Sequence, residues 1–165
     1  RWLPVLFEAE RLEWLVRDQT PREHGFKHLE KNKFSAEKLT SVGRSRAEYH
    51  KRLIDQPRSV YDYNRTNLEK LISYCQEQGW RPVLVTTPYT RQYTSNFSSD
   101  FLDDFHARAE AVSRKYGVPY LDFSRSAPYN GDMELFCDSD HLNVRGRERF
   151  TREIIDTLRE MGMPL

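Results

Sequence analysis

The feature that most constrains this chain is an order that occurs twice: an amphipathic run, a glycine, then a short apolar run. Leu68, Leu71, Ile72 and Cys75 follow the i, i+3, i+4, i+7 spacing that places side chains on one helix face. Gly79 is the expected terminator, because glycine accepts the left-handed conformation that closes a helix. "RPVLVTTPY" follows. Its Val83-Leu84-Val85 core is too short for a helix, rich in β-formers and stopped by Pro88. The lack of alternation predicts a strand covered on both faces, as in a parallel sheet. The second round starts at Ser98 or Ser99, either of which is a fitting cap. Phe101, Phe105, Ala109, Val112 and Tyr116 form the apolar stripe, Gly117 ends it, and Val118–Phe123 reads as the next strand. A loop of about twenty residues leads to Asn143, a predicted cap for a last helix with the stripe Phe150, Ile154, Leu158 and Met161.

Helices alternating with short strands imply βαβ units, a parallel sheet and helices on its faces. In such sheets function gathers at the carboxyl ends of the strands. Here those ends are Thr86-Thr87-Pro88-Tyr89 and Asp122-Phe123-Ser124. The loop that leaves the second of them carries "FCDSDHLNVRGRERF" (residues 136–150), in which Cys137, Asp138, Asp140 and His141 crowd together.

Those four residues permit several chemistries. Asp138 and His141 lie three apart, a spacing at which a turn brings both side chains together. A carboxylate beside an imidazole fixes its tautomer and stabilises the imidazolium, leaving the ring to act as base for a hydroxyl nucleophile. A plain structural role is the competing reading, with the aspartates as turn formers and His141 bonded to backbone ahead of a helix. A metal site from all four is sterically awkward within five consecutive residues and has no second cluster to complete it. Cys137 as nucleophile has the right chemical type, but sits unusually near its histidine. His24 and His28 share a helical face without any Glu-x-x-His context, and are expected to face solvent. Tyr89 and Arg91 follow the first strand at its functional end and are expected to border a substrate. The run Arg145, Arg147, Arg149 and Arg152 is interleaved with Glu148 and Glu153, and reads as a solvated helix face that an anionic substrate could also use.

"CDSDHLNVRGRERF" resembles the last conserved block of SGNH (GDSL-type) hydrolases, an Asp-x-x-His ahead of a glycine-containing helix start. The "HLN-x-x-G" form is similar to branches that include cell-envelope acyl esterases and acyltransferases. "YNRTNLEKLISYCQEQGWRPVLVTTP" and "KYGVPYLDF" resemble the elements that precede that block. The likeness covers residues 60–160 and its one specific motif is Asp-x-x-His. It implies a three-layer, flavodoxin-like α/β fold, with His141 as base and Asp138 as its orienting partner. It also implies ester hydrolysis or O-acyl transfer on a small-molecule or glycan ester, no cofactor, and an extracytoplasmic or cell-envelope setting. The family's Gly-Asp-Ser block has no match here. Gly43-Arg44-Ser45 comes nearest but falls in a predicted helix, 35–54, with no strand before it. The nucleophile is therefore expected upstream of Arg1, and the chain, which opens on Arg rather than Met, is expected to be a piece of a longer protein. A non-catalytic α/β module that binds a partner or glycan is the alternative.

Composition excludes other classes. Lys and Arg total 26 against 25 Asp and Glu, a net charge of +1, so nothing electrostatic points to nucleic acid or an anionic membrane. No apolar run approaches membrane-spanning length. Two cysteines are too few for a disulfide scaffold. Aromatic content of 13% argues against disorder. One domain or domain fragment is expected over 1–165, with 1–59 mainly helical and 60–165 carrying the α/β portion. Within 1–59, residues 5–17 are a candidate helix. Trp2, Trp14 and Trp80 are expected to be core or interface anchors.

Overall fold

A computed structural model describes residues 35–54 and 58–163. The expected helix over 5–17, the pair His24 and His28, and Trp2 and Trp14 lie outside the described residues. Two helices come first, α1 (Ala36–Ile54) and α2 (Arg58–Glu77). Then follow β1 (Leu84–Thr86), the short helix α3 (Arg91–Thr94), α4 (Ser99–Tyr116) and β2 (Tyr120–Asp122). A 3₁₀ turn (Met133–Leu135) and α5 (Val144–Glu160) complete the order.

The chain is mixed α/β and mostly helical. Its sheet, among the described residues, has two parallel strands paired Leu84 with Tyr120, Val85 with Leu121 and Thr86 with Asp122. The expected three-layer sheet is met only in this coarser form. Successive strand residues point to opposite faces, and the core divides accordingly. Leu84 joins Ile72 of α2, Val112 of α4 and Val118, with Leu68, Tyr116 and Tyr120 against them. Val85 turns the other way, against Tyr129, Leu135, Phe136 and Phe150, where Phe123, Leu142 and Ile154 also pack. Each fully buried side chain of this kind contributes about 1.5–3 kcal/mol of transfer free energy.

Local sequence signals explain where the elements end. Gly79 and Gly117 adopt positive φ, 73° and 63°, and the Gly117 N–H closes α4 on the Ser113 carbonyl. Ser98 caps α4 by accepting from the Phe101 N–H. β2 is shorter than the expected Val118–Phe123, and β1 keeps three residues but is displaced by one, to Leu84–Thr86. Coverage of both faces is also incomplete: Asp122 is exposed and Val85 only half-buried, because two strands are too narrow to be sealed by helices on either side. Phe105, expected in the α4 stripe, is exposed, and its neighbour His106 turns inward to the Tyr120 hydroxyl at 3.0 Å. Met161 likewise lies outside, since α5 stops at Glu160 and Met163 is buried instead. Trp80 is half-buried, with its ring edge-on to Tyr74.

Helix α1 sits against α3. Leu39 and Ala47 are fully buried on this face, and at Gly43 the helix comes so close that a Cβ would collide with the Gln92 carbonyl. The Gly43-Arg44-Ser45 triplet is thus a helix-packing feature. No described helix is long and apolar enough to cross a membrane.

Candidate active site

The loop between β2 and α5 is fixed at both ends before it presents any chemistry. On the α5 side, Asn143 caps the helix by accepting from the Gly146 N–H at 2.9 Å, while its amide donates to the carbonyls of Glu134 and Phe136. Gly146 is required for close approach, because a Cβ there would collide with the Leu135 carbonyl oxygen. Phe136 and Leu142 bridge in antiparallel fashion, and the Cys137 N–H donates to the His141 carbonyl at 2.9 Å. These bonds turn residues 137–141 into a closed loop with Asp138 and His141 on its rim.

Within that loop Asp138 does two things. One oxygen accepts the backbone N–H groups of Asp140 and His141, at 3.0 and 2.8 Å, which is the turn-forming role expected of an aspartate. The carboxylate also faces the imidazole, with His141 Nδ1 at 3.0 and 2.9 Å from its two oxygens. Burial alone would raise the Asp138 carboxyl. The hydrogen bond from His141 and those from the two backbone N–H groups outweigh it, and the net shift is downward. An ionised carboxylate only accepts, so Nδ1 is the donor and a neutral ring keeps its lone pair on Nε2. The His141 side chain is 32% exposed, enough for a substrate or nucleophile to reach it.

Asp140, by contrast, turns inward and is committed elsewhere. Its carboxylate is 5% exposed and receives Arg46 of α1 as a fork, Nε at 3.1–3.2 Å and Nη2 at 2.8 Å, with the Ser139 hydroxyl adding a bond at 2.8 Å. The loop after β1 is fastened to the same turn. The Thr90 N–H and hydroxyl both donate to the Ser139 carbonyl, at 3.2 and 2.7 Å. Tyr89 and Arg91, on either side, have their N–H groups on the carbonyls of Ser124 and Asn130. The Tyr89 ring lies half-buried, 5.1 Å from that of Tyr93, and the Arg91 side chain is exposed. Two strand-end loops that sequence placed on one side are therefore joined by hydrogen bonds.

The geometry bears on the competing chemistries. Asp138, Asp140 and His141 offer ligand atoms within 4.8 Å of one another, but a cation there would have to displace Arg46 from Asp140 and break the Asp138–His141 bond. The donor set does not fit a metal. Cys137 is ill-suited as a nucleophile: burial, then the negative Asp138, push its thiol up to about 11. Its sulfur is bonded to the His141 carbonyl at 3.3 Å. Arg145, Arg149 and Arg152 are exposed, with Arg149 over the Tyr129 ring and Arg152 facing Glu148, as a solvated helix face requires. Arg147 departs from it, half-buried with its Nε shielded from solvent.

Arg46, Thr90 and Ser139 are site residues that the sequence did not disclose. Arg46 meets Asp140 across 94 positions, and nothing local marks such a pairing. The one trace is the spacing Leu39, Gly43, Ala47, which marks a helix face made for close packing.

No family model matches the chain, and neither a curated protein nor a solved structure matches it.

Proposed function

We propose that Asp138 and His141 are the orienting acid and the general base of an SGNH-type serine acyl-transfer site, acting on an O-acyl ester by hydrolysis or by transfer to an acceptor alcohol. The observation that carries this reading is the bond from His141 Nδ1 to an ionised Asp138, on a rim beside two strand ends. It leaves Nε2 to take a proton from a serine hydroxyl and return it to the leaving alcohol. The serine and the oxyanion donors come from chain outside the described residues. A flavodoxin-like three-layer arrangement is the fold proposed to bring them there. The parallel pairing and the helices packed on either side of β1 support it.

The test is fluorophosphonate labelling of the full-length protein against its His141→Ala variant. Labelling is expected to slow by a factor of about 10²–10⁴ without the base. Equal rates would remove His141 from the mechanism. The alternative, a non-catalytic binding module, draws on the exposed Tyr63 and Tyr74 of α2. It would be favoured by a full-length protein that takes no label yet retains a glycan or protein ligand through that face.

A further inference from the structure

Acyl transfer through Asp138 and His141 leaves the best-built ion pair at the site unexplained. Asp140 is two residues from Asp138 and its Oδ2 lies 3.9 Å from His141 Nδ1. Two carboxylates are thus within reach of one ring nitrogen, and only one of them can set its orientation. The structure shows how the choice is made. Arg46 takes both oxygens of Asp140 in three hydrogen bonds, and the Ser139 hydroxyl takes one of them again. Asp138, whose partners are two backbone N–H groups of its own turn, remains for the imidazole.

Arg46 is itself held in place. It shares a face of α1 with Gly43, which meets the Gln92 carbonyl, and with His50, whose Nδ1 is 2.6 Å from the Tyr93 hydroxyl. Burial raises the Tyr93 phenol, so it is neutral in this pair. Guanidinium suits this task, because its planar fork matches a carboxylate in two places and stays charged at any working pH.

We propose that Arg46 is a positioning residue for His141: by sequestering Asp140 it assigns the imidazole to Asp138 and fixes the direction in which Nε2 points. Its catalytic meaning rests on the esterase reading, but the geometry can be read without a substrate. The charged groups that bear on the ring region are Asp138 and Asp140 on its own loop, Arg46 from α1 and Arg147 from α5, and the neutral titratable groups are Cys137 and, from α3, Tyr93.

The experiment is an NMR titration of the His141 imidazole in the full-length protein, its resonances assigned by their absence in His141→Ala. In Arg46→Ala, Asp140 is released 3.9 Å from Nδ1, and the midpoint is expected to rise by about one pH unit. Adding Asp140→Asn to that variant is expected to restore it, and Arg46→Lys, charged but unable to fork, to fall between. Asp140→Asn alone, which strands the Arg46 cation near the ring, is expected to lower the midpoint. A midpoint in folded Arg46→Ala equal to the parent's would overturn the assignment, as would a double variant that stays raised. Should Arg46→Ala fail to fold, an unmoved midpoint in both Arg46→Lys and Asp140→Asn would overturn it equally. Acylation kinetics are a separate readout. A titration that behaves as described in a protein that takes no fluorophosphonate would leave the positioning role standing and sink the esterase reading.

Discussion

At the scale of single residues, Asp138 and Cys137 respond to the same burial in opposite functional directions. Hydrogen bonds overcome burial at Asp138 and leave its carboxyl below the ordinary range. A carboxyl lowered on folding stabilises the native state fully above its unfolded value, near pH 4, and that contribution is lost as pH falls through the lower folded value. Asp138→Asn is therefore expected to cost about 1–2 kcal/mol at pH 7. The gap between parent and variant should narrow as urea titrations are carried from about pH 5 down to about pH 3 and below. A gap that does not change over that range would assign the loss to packing rather than charge. At Cys137 nothing overcomes burial, and a thiol raised to about 11 holds little thiolate at neutral pH. Iodoacetamide at pH 8 is expected to alkylate it roughly a hundredfold more slowly than free glutathione, in line with its thiolate fraction. Reaction at the glutathione rate would reopen the cysteine as a nucleophile. The sequence alone disclosed the Asp138–His141 pair because both partners sit in one turn. It could not disclose Arg46, since a bond between a helix and a loop distant in sequence leaves no periodic trace.

Among the elements, α5 and α1 both depend on a glycine that lets backbone approach backbone, and neither glycine adopts positive φ. A methyl group at Gly146 would meet the Leu135 carbonyl, which is fixed by accepting the Asn143 N–H. Gly146→Ala is expected to destabilise by about 3 kcal/mol, since no flexible side chain is available to yield. Gly131→Ala, with nothing within 4 Å of the added carbon, is the control and should fall within about 0.5 kcal/mol of the parent. Chemical denaturation of the two variants decides the matter, and similar values for both would refute the close approach. The same elements show what sequence could reveal of the fold. Gly79, Gly117, Ser98 and Asn143 mark their boundaries by local backbone chemistry, and those boundaries stand within a residue or two. Phe105 and Met161 depart from their stripes because a periodic pattern has no means of knowing where its partner helix stops or which neighbour a hydroxyl draws inward. The extent of the sheet was illegible for a related reason. Strand pairing is a relation between distant segments, and two short apolar runs do not say how many others join them.

On the scale of the whole molecule, α1 is attached differently from the rest. α2, α4 and α5 each insert apolar side chains into one of the two core clusters. The described bonds of α1 to other elements run to the 90–97 segment and to Asp140: His50 to Tyr93, Lys51 to the Asn96 carbonyl, and the Arg46 fork. Amides of α1 are therefore expected to exchange with deuterium as one group, at an opening free energy below that of α4 and α5. Exchange at the global rate throughout α1 would show it to be integral to the core. Thr90 adds something of a different kind. Its amide and its hydroxyl converge on a single carbonyl, that of Ser139, riveting the loop after one strand to the turn after the other. Movement of either loop therefore strains the other's anchorage. Thr90→Val, which keeps the amide bond but removes the hydroxyl one, is expected to raise deuterium exchange in both the 89–91 and the 137–141 segments, not in one alone.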